Sequence, residues 1–168
     1  MFTELMIVGG IFWSLTYVLI IRKGFADRTY GMPFVALSAN ISWEAIFSFV
    51  HPHRPPQLYI DYAWFLLDLV IVFQCLRYCG PEFPKFSHTK IRLLFLLSAA
   101  ASSVSIYLSC YWFEDWQGAY AAFGQNLLMS ILFIFMLRQR NGLRGQSFPI
   151  GLFKMLGTAI SSASFYAH

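Results

Sequence analysis

A chain of 168 residues in which 58% are apolar and only 12% are charged has too little polar surface for a soluble protein of its size. We therefore predict an integral membrane protein. The net charge of +4 does not indicate a nucleic-acid partner, because the positive residues are distributed among several loops and not gathered on one face. The aromatic share of 19% is compatible with lipid contact, interfacial belts or an apolar cavity.

Six apolar runs follow one another along the chain, each close to the ~20 residues that cross a hydrocarbon core of about 30 Å. They predict an all-α fold, a polytopic transmembrane helical bundle of about six membrane-spanning helices, with a single domain over residues 1–168. No small-residue cleavage pattern follows the first run, so we expect a retained helix and not a signal peptide. The runs cover residues 5–21, 33–50, 58–76, 91–112, 118–137 and 148–166.

Positive charges predict the orientation of these helices, because cytoplasmic loops collect Lys and Arg. Ten of the twelve Lys and Arg residues flank alternate breaks between the runs, Lys154 lies just beyond the last of these breaks, and only Arg54 lies on the other side. The amino terminus is therefore expected outside the cytoplasm. The eleven residues are Arg22, Lys23, Arg28, Arg77, Lys85, Lys90, Arg92, Arg138, Arg140, Arg144 and Lys154.

The second run carries Glu44 well inside the predicted hydrocarbon region. A charged side chain at the bilayer centre costs about 2.5–3.5 kcal/mol on insertion scales, so Glu44 is a candidate catalytic residue. Asn40, Ser48 and His51 lie four residues before it and four and seven after it, and are predicted to share its helix face. The structural alternative is a protonated Glu44 that is hydrogen-bonded to a neighbouring helix.

Asp68 in the third run is the second carboxylate predicted at depth. At 1.5 Å per residue, Glu44 lies about 9 Å and Asp68 about 15 Å below the outer ends of two helices joined by a short connection. The two acids could therefore share one cavity, although an ordinary interhelical hydrogen bond explains Asp68 equally well. The other acids fall at ends or in loops: Glu4, Asp27, Asp61, Glu82, Glu114 and Asp115.

The fifth run contains adjacent amides, Gln125 and Asn126. Each amide buries two donors and an acceptor that need partners, so Asn126 is a candidate substrate-binding residue that orients a substrate oxygen or a carboxylate. Packing is the equally weighted alternative for Asn126.

Other chemistries are not indicated, and we predict no metal site and no cofactor. Cys75, Cys79 and Cys110 lack the second pair with His that a zinc site needs, so buried thiols are expected. His51 and His53, on either side of Pro52, favour an interfacial turn over a metal site. Glycine-rich phosphate loops, a G-x-S-x-G elbow and the Asp-rich motifs of soluble terpene synthases do not occur.

Several motifs occur in order over essentially the whole chain. They are Trp13 with Tyr17; Thr29-Tyr30-Gly31-Met32-Pro33; Asn40, Trp43 and Glu44 followed by Pro52; Leu127-Leu128-Met129-Ser130 after an amide; and Arg144, Gly145 and Ser147 leading to Leu156 and Gly157. In this order they resemble the membrane-integral terpene cyclases of fungal meroterpenoid and indole-diterpene pathways, the paxilline-type and pyripyropene-type cyclases.

The resemblance implies a terpene cyclase of the isomerase or lyase type that is initiated by an acid. Its substrate would be a lipophilic prenylated small molecule, dissolved in the lipid bilayer and often carrying a terminal epoxide. It also allows an upstream prenyltransferase and epoxidase, and an endoplasmic reticulum membrane if the source is fungal. Trp13, Tyr17 and Trp43 would then stabilise carbocations with their ring faces, with packing as the alternative for each, and Asn40 would bind substrate beside Glu44.

In that family a second catalytic carboxylate lies on a seventh helix, and its Asp has no counterpart here. We expect either that the chain, ending at Ala167-His168, is a shortened member with weak activity, or that Asp68 has taken the role as a second catalytic acid. The alternative of another class is a small non-enzymatic transporter or ligand-binding bundle in which Glu44 and Asp68 relay protons or hold a cation.

Overall fold

The computed structural model describes residues 2–166, and residues 167–168 of the expected chain end lie outside this range. Across the described residues the fold is entirely helical, which confirms the predicted all-α bundle. The six long helices are α1 (Phe2–Ala26), α2 (Phe34–Ala45), α3 (Gln57–Tyr78), α4 (His88–Trp112), α5 (Ala119–Arg140) and α6 (Phe148–Tyr166). A π-helical turn, Ile46–Val50, continues α2.

Four helices are long and apolar enough to cross a membrane, namely α1 from Glu4 onward, α3, α4 and α5. Helix α2 with its π-helical turn is apolar but shorter. The outward faces carry large aliphatic side chains, and Leu66, Leu96 and Leu127 are 62%, 65% and 64% exposed. Water would disfavour so much exposed apolar surface, so these faces are suited to lipid.

Helix α2 is the centre of the bundle, since it packs against α3, α4 and α5, while α1 packs against α6 and α3. Small residues let α1 and α6 approach closely, because a Cβ on Gly157 would lie 2.8 Å from the Trp13 ring and one on Gly9 would lie 2.7 Å from Ser161 Oγ. Tight backbone contact of this kind is a usual basis of helix association in membranes.

The π-helical turn begins two residues after Glu44 and changes the register of the helix. Asn40 and Glu44 share a face as predicted, but His51 lies beyond the turn and packs against the Trp116 ring at 4.6 Å. Ser48 is buried in the turn. The predicted polar face therefore ends at Glu44, because a wider turn rotates the residues that follow.

Three loops at one end of the bundle are tied together by a charged cluster. Arg140 at the end of α5 bonds Glu82 Oε1 through Nε at 2.9 Å and donates from Nη1 to the Tyr30 carbonyl at 2.9 Å. Gly145, at φ 75°, brings its backbone so close that a Cβ there would lie 2.7 Å from the Tyr30 carbonyl oxygen. The motifs around Tyr30 and Gly145 thus join three loops.

Lys154 corrects the charge assignment made from the sequence. It was expected among the cytoplasmic cations, but it lies inside α6, more than a turn from Phe148, and is only 7% exposed. The prediction for the thiols is confirmed, since Cys75, Cys79 and Cys110 are free and buried.

Candidate active site

A cavity of about 740 Å³ opens between the helices and contains most of the predicted site. This volume is in the range of small-molecule binding pockets, about 300–1,000 Å³. Residues of α1, α2, α3, α5 and α6 contribute to its walls. The predicted site residues among them are Trp13, Tyr17, Asn40, Trp43, Glu44 and Asn126.

Glu44 meets the cavity through a directional hydrogen-bond network. Asn40 Nδ2 donates to the Tyr17 hydroxyl oxygen, which leaves the hydroxyl hydrogen of Tyr17 for Glu44 Oε1 at 3.3 Å. The other carboxyl oxygen, Oε2, has no hydrogen-bond partner among the described residues. Glu44 is only 2% exposed, so burial penalises the charged carboxylate and favours a neutral acid. Since Oε1 accepts a bond, the transferable proton belongs on Oε2.

Asp68 lies behind this network and not on the cavity wall. It is fully buried, and its Oδ2 accepts a hydrogen bond from Asn40 Nδ2 at 2.8 Å. Among the described residues its Oδ1 has no partner, and Asp68 is absent from those that line the cavity. The two predicted acids are therefore connected through Tyr17 and Asn40, and the hydrogen bond from Asn40 links Asp68 to the cavity wall.

Aromatic rings form much of the wall around the acid. The ring centroids of Trp13 and Tyr17 are 6.3 Å apart, and Tyr17 stacks on Trp64 at 6.2 Å. The Trp43 indole nitrogen donates to the Gly118 carbonyl at 3.0 Å, which satisfies its only donor and fixes the ring. The sequence interpretation overlooked Trp64, although its place four residues before Asp68 put it on the same face of α3.

The rim of the cavity contains a partly buried His–Asp pair that sequence reasoning missed. His53, predicted only as part of an interfacial turn, lines the cavity, and its Nδ1 lies 2.7 Å from Asp61 Oδ2. Its Nε2 lies 3.1 Å from the Gln117 carbonyl oxygen, and its ring stacks on Phe47 at 4.7 Å. A carbonyl oxygen and an ionised carboxylate only accept, so the imidazolium form, with a hydrogen on each ring nitrogen, satisfies both contacts. His53 thereby joins the α2–α3 and α4–α5 loops.

This pair leads to a pH prediction for stability. Burial lowers the pKa of His53, but the hydrogen bond and charge of Asp61 outweigh burial, and together with the Gln117 carbonyl and the charge of Asp115 they raise the pKa above its ordinary value. A raised folded pKa contributes stability that is complete below the unfolded value of about 6.5 and is lost as pH rises through the folded value.

We expect the difference in unfolding free energy between the wild type and His53→Phe to shrink as pH rises through that window. Chemical unfolding of detergent-solubilised protein at pH 6 to 9 measures it. His88→Gln, at an exposed position on α4, is the matched control and should show a constant difference. A constant difference for His53→Phe as well would mean that the ion pair does not form.

Asn126 faces the cavity from α5 with its amide held on two sides. Its Oδ1 accepts from Lys154 Nζ at 2.6 Å, and its Nδ2 donates to Thr158 Oγ1 at 2.9 Å. Lys154 was not predicted as a site residue. Its place in an apolar helix was the signal available in the sequence.

Comparisons with known proteins agree over the whole chain. A family model for Pyr4-like transmembrane terpene cyclases matches residues 1–168. The Pyr4-family terpene cyclase mfmH of Annulohypoxylon moriforme is 27% identical, over 96% of this chain and 68% of that protein. The terpene cyclase macJ of Penicillium terrestre is also 27% identical, over 95% and 64%. The terpene cyclase pyr4 of Aspergillus fumigatus is 26% identical, over 90% and 64%.

The chain thus spans about two thirds of the length of these relatives. No solved structure matches it.

Proposed function

The chain belongs to the Pyr4-like transmembrane terpene cyclases, and from this premise we propose that it cyclises a prenylated, membrane-soluble substrate by protonating a terminal epoxide or alkene. The observation that carries the proposal is Glu44, which lines a large aromatic cavity and whose buried Oε2 has no hydrogen-bond partner among the described residues. The substrate class is a meroterpenoid or indole-terpenoid precursor.

Protonation by Glu44 starts the reaction. The proton on Oε2 moves to the epoxide oxygen, the carbon–oxygen bond breaks, and a carbocation forms at the more substituted carbon. Tyr17 donates to Oε1 and stabilises the carboxylate that remains. The acid is supplied by a side chain, so this step requires no metal.

The ring faces of the cavity stabilise the cation as it moves. Each alkene attacks the cationic carbon in turn and leaves a new cation one ring further along. Indole and phenol faces attract cations through the ring quadrupole and are weak nucleophiles, so they do not trap the intermediate. Trp13, Tyr17, Trp43 and Trp64 supply these faces. Loss of a proton from the last cation to water ends the cascade, a proton from water restores the Glu44 acid, and the product is an isomer of the substrate.

Incubation with an epoxidised farnesyl or geranylgeranyl conjugate tests the proposal. Membranes that contain the protein should convert the conjugate into a cyclic product of unchanged mass, identified by mass spectrometry and NMR. Membranes without the protein are the control. Recovery of only the linear conjugate would contradict the proposal for this chain.

Family membership favours the cyclase over the transporter or ligand-binding bundle that buried Glu44 and Asp68 also suggested. For the setting of the reaction we propose the endoplasmic reticulum membrane of a fungal cell, with a prenyltransferase and an epoxidase acting upstream. The prenyltransferase would attach the prenyl chain, and the epoxidase would oxidise its terminal alkene where the substrate is an epoxide.

Asp68 is proposed as a positioning residue. Asp68→Asn should lower turnover by about tenfold, the effect of ~1.4 kcal/mol on a barrier, because Asn40 loses its carboxylate partner while Glu44 keeps its own proton. Turnover of the same conjugate measures this, with Glu114→Gln, a change at an exposed position, as the control. A loss as large as that from changing Glu44 itself would make Asp68 a second catalytic acid.

A further inference from the structure

Lys154 is a buried cation that the proposed reaction does not use. It projects from α6 into contact with α5 and α1 and is only 7% exposed. Its Nζ donates to Asn126 Oδ1 at 2.6 Å and to Ser130 Oγ at 2.7 Å, and lies 5.4 Å from the centre of the Trp13 ring. Lysine is rarely buried in this way without a purpose.

Either form of the Lys154 amine could donate to its two hydrogen-bond acceptors, and the contact with the Trp13 ring face favours the charged form. An amide oxygen accepts, and the Ser130 hydroxyl has already donated its own hydrogen to the Asn126 carbonyl at 2.8 Å. The Trp13 face attracts a cation and would repel an amine lone pair. Within the described part of the chain, no carboxylate forms an ion pair with this ammonium. A buried positive charge therefore adjoins the cavity without a counter-ion from these residues.

Lys154 also determines which side of the Asn126 amide faces the cavity. Its ammonium holds Oδ1, and one N–H of Nδ2 is donated to Thr158 Oγ1, whose own hydrogen bonds the Lys154 carbonyl at 2.8 Å. The second N–H of Asn126 has no partner in the described part of the chain. A cation on the amide oxygen polarises the amide, so this N–H is a strengthened donor.

Gln125, the neighbour of Asn126, supplies the complementary group. It lines the cavity, and its Oε1 is buried without a hydrogen-bond partner among residues 2–166. Two adjacent residues of α5 that line the cavity thus contain an unpaired donor, in Asn126, and an unpaired acceptor, in Gln125. No hydrogen bond joins these two residues to the network of Glu44 within the described residues, so the two sets of polar groups can contact different parts of one ligand.

We propose that Gln125 and Asn126, with Lys154 as the positioning residue, bind the oxygenated head group of the prenylated substrate. A substrate carbonyl, or the oxygen of an acidic enol or phenol, accepts a hydrogen bond from Asn126, and the ammonium behind the amide strengthens this bond. An adjacent hydroxyl of the substrate donates a hydrogen bond to Gln125. The hydrocarbon chain then extends over the aromatic wall toward Glu44. This inference rests on the proposed cyclisation and specifies the substrate class.

Two substrates with the same epoxidised prenyl chain test the inference. One carries a hydroxyaryl ketone head, and the other carries the head with its hydroxyl and carbonyl replaced by hydrogen. Asn126→Leu should lower kcat/KM for the oxygenated substrate by about 10–100-fold, chiefly through KM, as expected for one charge-assisted hydrogen bond. Lys154→Met should also lower kcat/KM for the oxygenated substrate. Neither change should affect the substrate without oxygens.

The control is Lys85→Met, an identical change at an exposed inner-loop position, which should alter neither substrate. Equal losses with both substrates would assign Asn126 and Lys154 a structural role and overturn the inference. Unchanged kinetics with both would do the same. If Lys154→Met does not fold, Gln125→Leu, which removes no hydrogen bond present in the fold, should still weaken only the oxygenated substrate.

Failure of the proposed function is distinguished by turnover of the wild-type protein. If the wild type converts neither substrate, binding of the two matching compounds with saturated, unreactive chains is measured by titration calorimetry in detergent. The head-group site then predicts tighter binding of the oxygenated compound, and loss of that preference in Asn126→Leu. Equal affinities for the two compounds would overturn it.

Discussion

Glu44→Gln should reduce cyclisation by on the order of 10²–10⁴-fold, the contribution of a general acid, while the protein still inserts and folds. Glutamine keeps the shape of the side chain, and its amide oxygen can still accept the bond from Tyr17 that Oε1 accepts now. Its NH₂ group would lie where Oε2 lies and cannot transfer a proton to an epoxide. Product formation in membranes, quantified by mass spectrometry against protein amount, measures the effect.

The matched control for this change is Glu114→Gln, which alters an exposed acid in the outer loop and should leave turnover unchanged. Glu44→Asp is informative as well, because it keeps the proton but withdraws it from the cavity by one methylene. Turnover by Glu44→Gln at the wild-type rate would end the assignment of Glu44 as the acid.

Arg140→Met should lower the free energy of unfolding by about 3 kcal/mol, more than the other substitutions, because it removes one partner of a buried ion pair. The Arg140 and Glu82 side chains are 5% and 16% exposed, and Arg140 Nη2 lies 2.7 Å from Glu82 Oε1. Glu82 would keep its bond from the Tyr30 hydroxyl, at 2.6 Å, but would lose its cation. The carbonyls of Tyr30 and Arg144 would also lose their donor.

Chemical unfolding in detergent, followed by helical circular dichroism, measures this loss. Arg138→Met is the matched control, since Arg138 lies in the same last turn of α5 but is exposed. Similar unfolding free energies for the two variants would mean that the loop cluster does not stabilise the bundle. Cyclisation by the folded fraction of Arg140→Met should persist, because the cluster lies apart from the cavity wall.

The membrane class, the all-α fold and the family were predictable from the sequence. Apolar runs near 20 residues reflect the cost of placing side chains and backbone in hydrocarbon, and this cost is local to each run. The family resemblance, drawn from ordered motifs such as Asn40, Trp43 and Glu44, is confirmed by the family match over the chain. Glu44 was identifiable because a carboxylate is costly at that depth whatever surrounds it.

The tertiary structure alone decided which distant residues pair with one another. In the sequence Asp61 is an ordinary acid at a helix end, whereas in the fold it pairs with His53, whose other ring nitrogen contacts the Gln117 carbonyl. Lys154 counted as a loop cation until α5 and α1 enclosed it. Hydropathy and spacing describe one helix at a time, whereas burial and hydrogen bonding depend on which helices become neighbours. The position of Asp68 behind Asn40 and that of Asn126 beside an ammonium therefore follow from the packing of the bundle and not from any one segment.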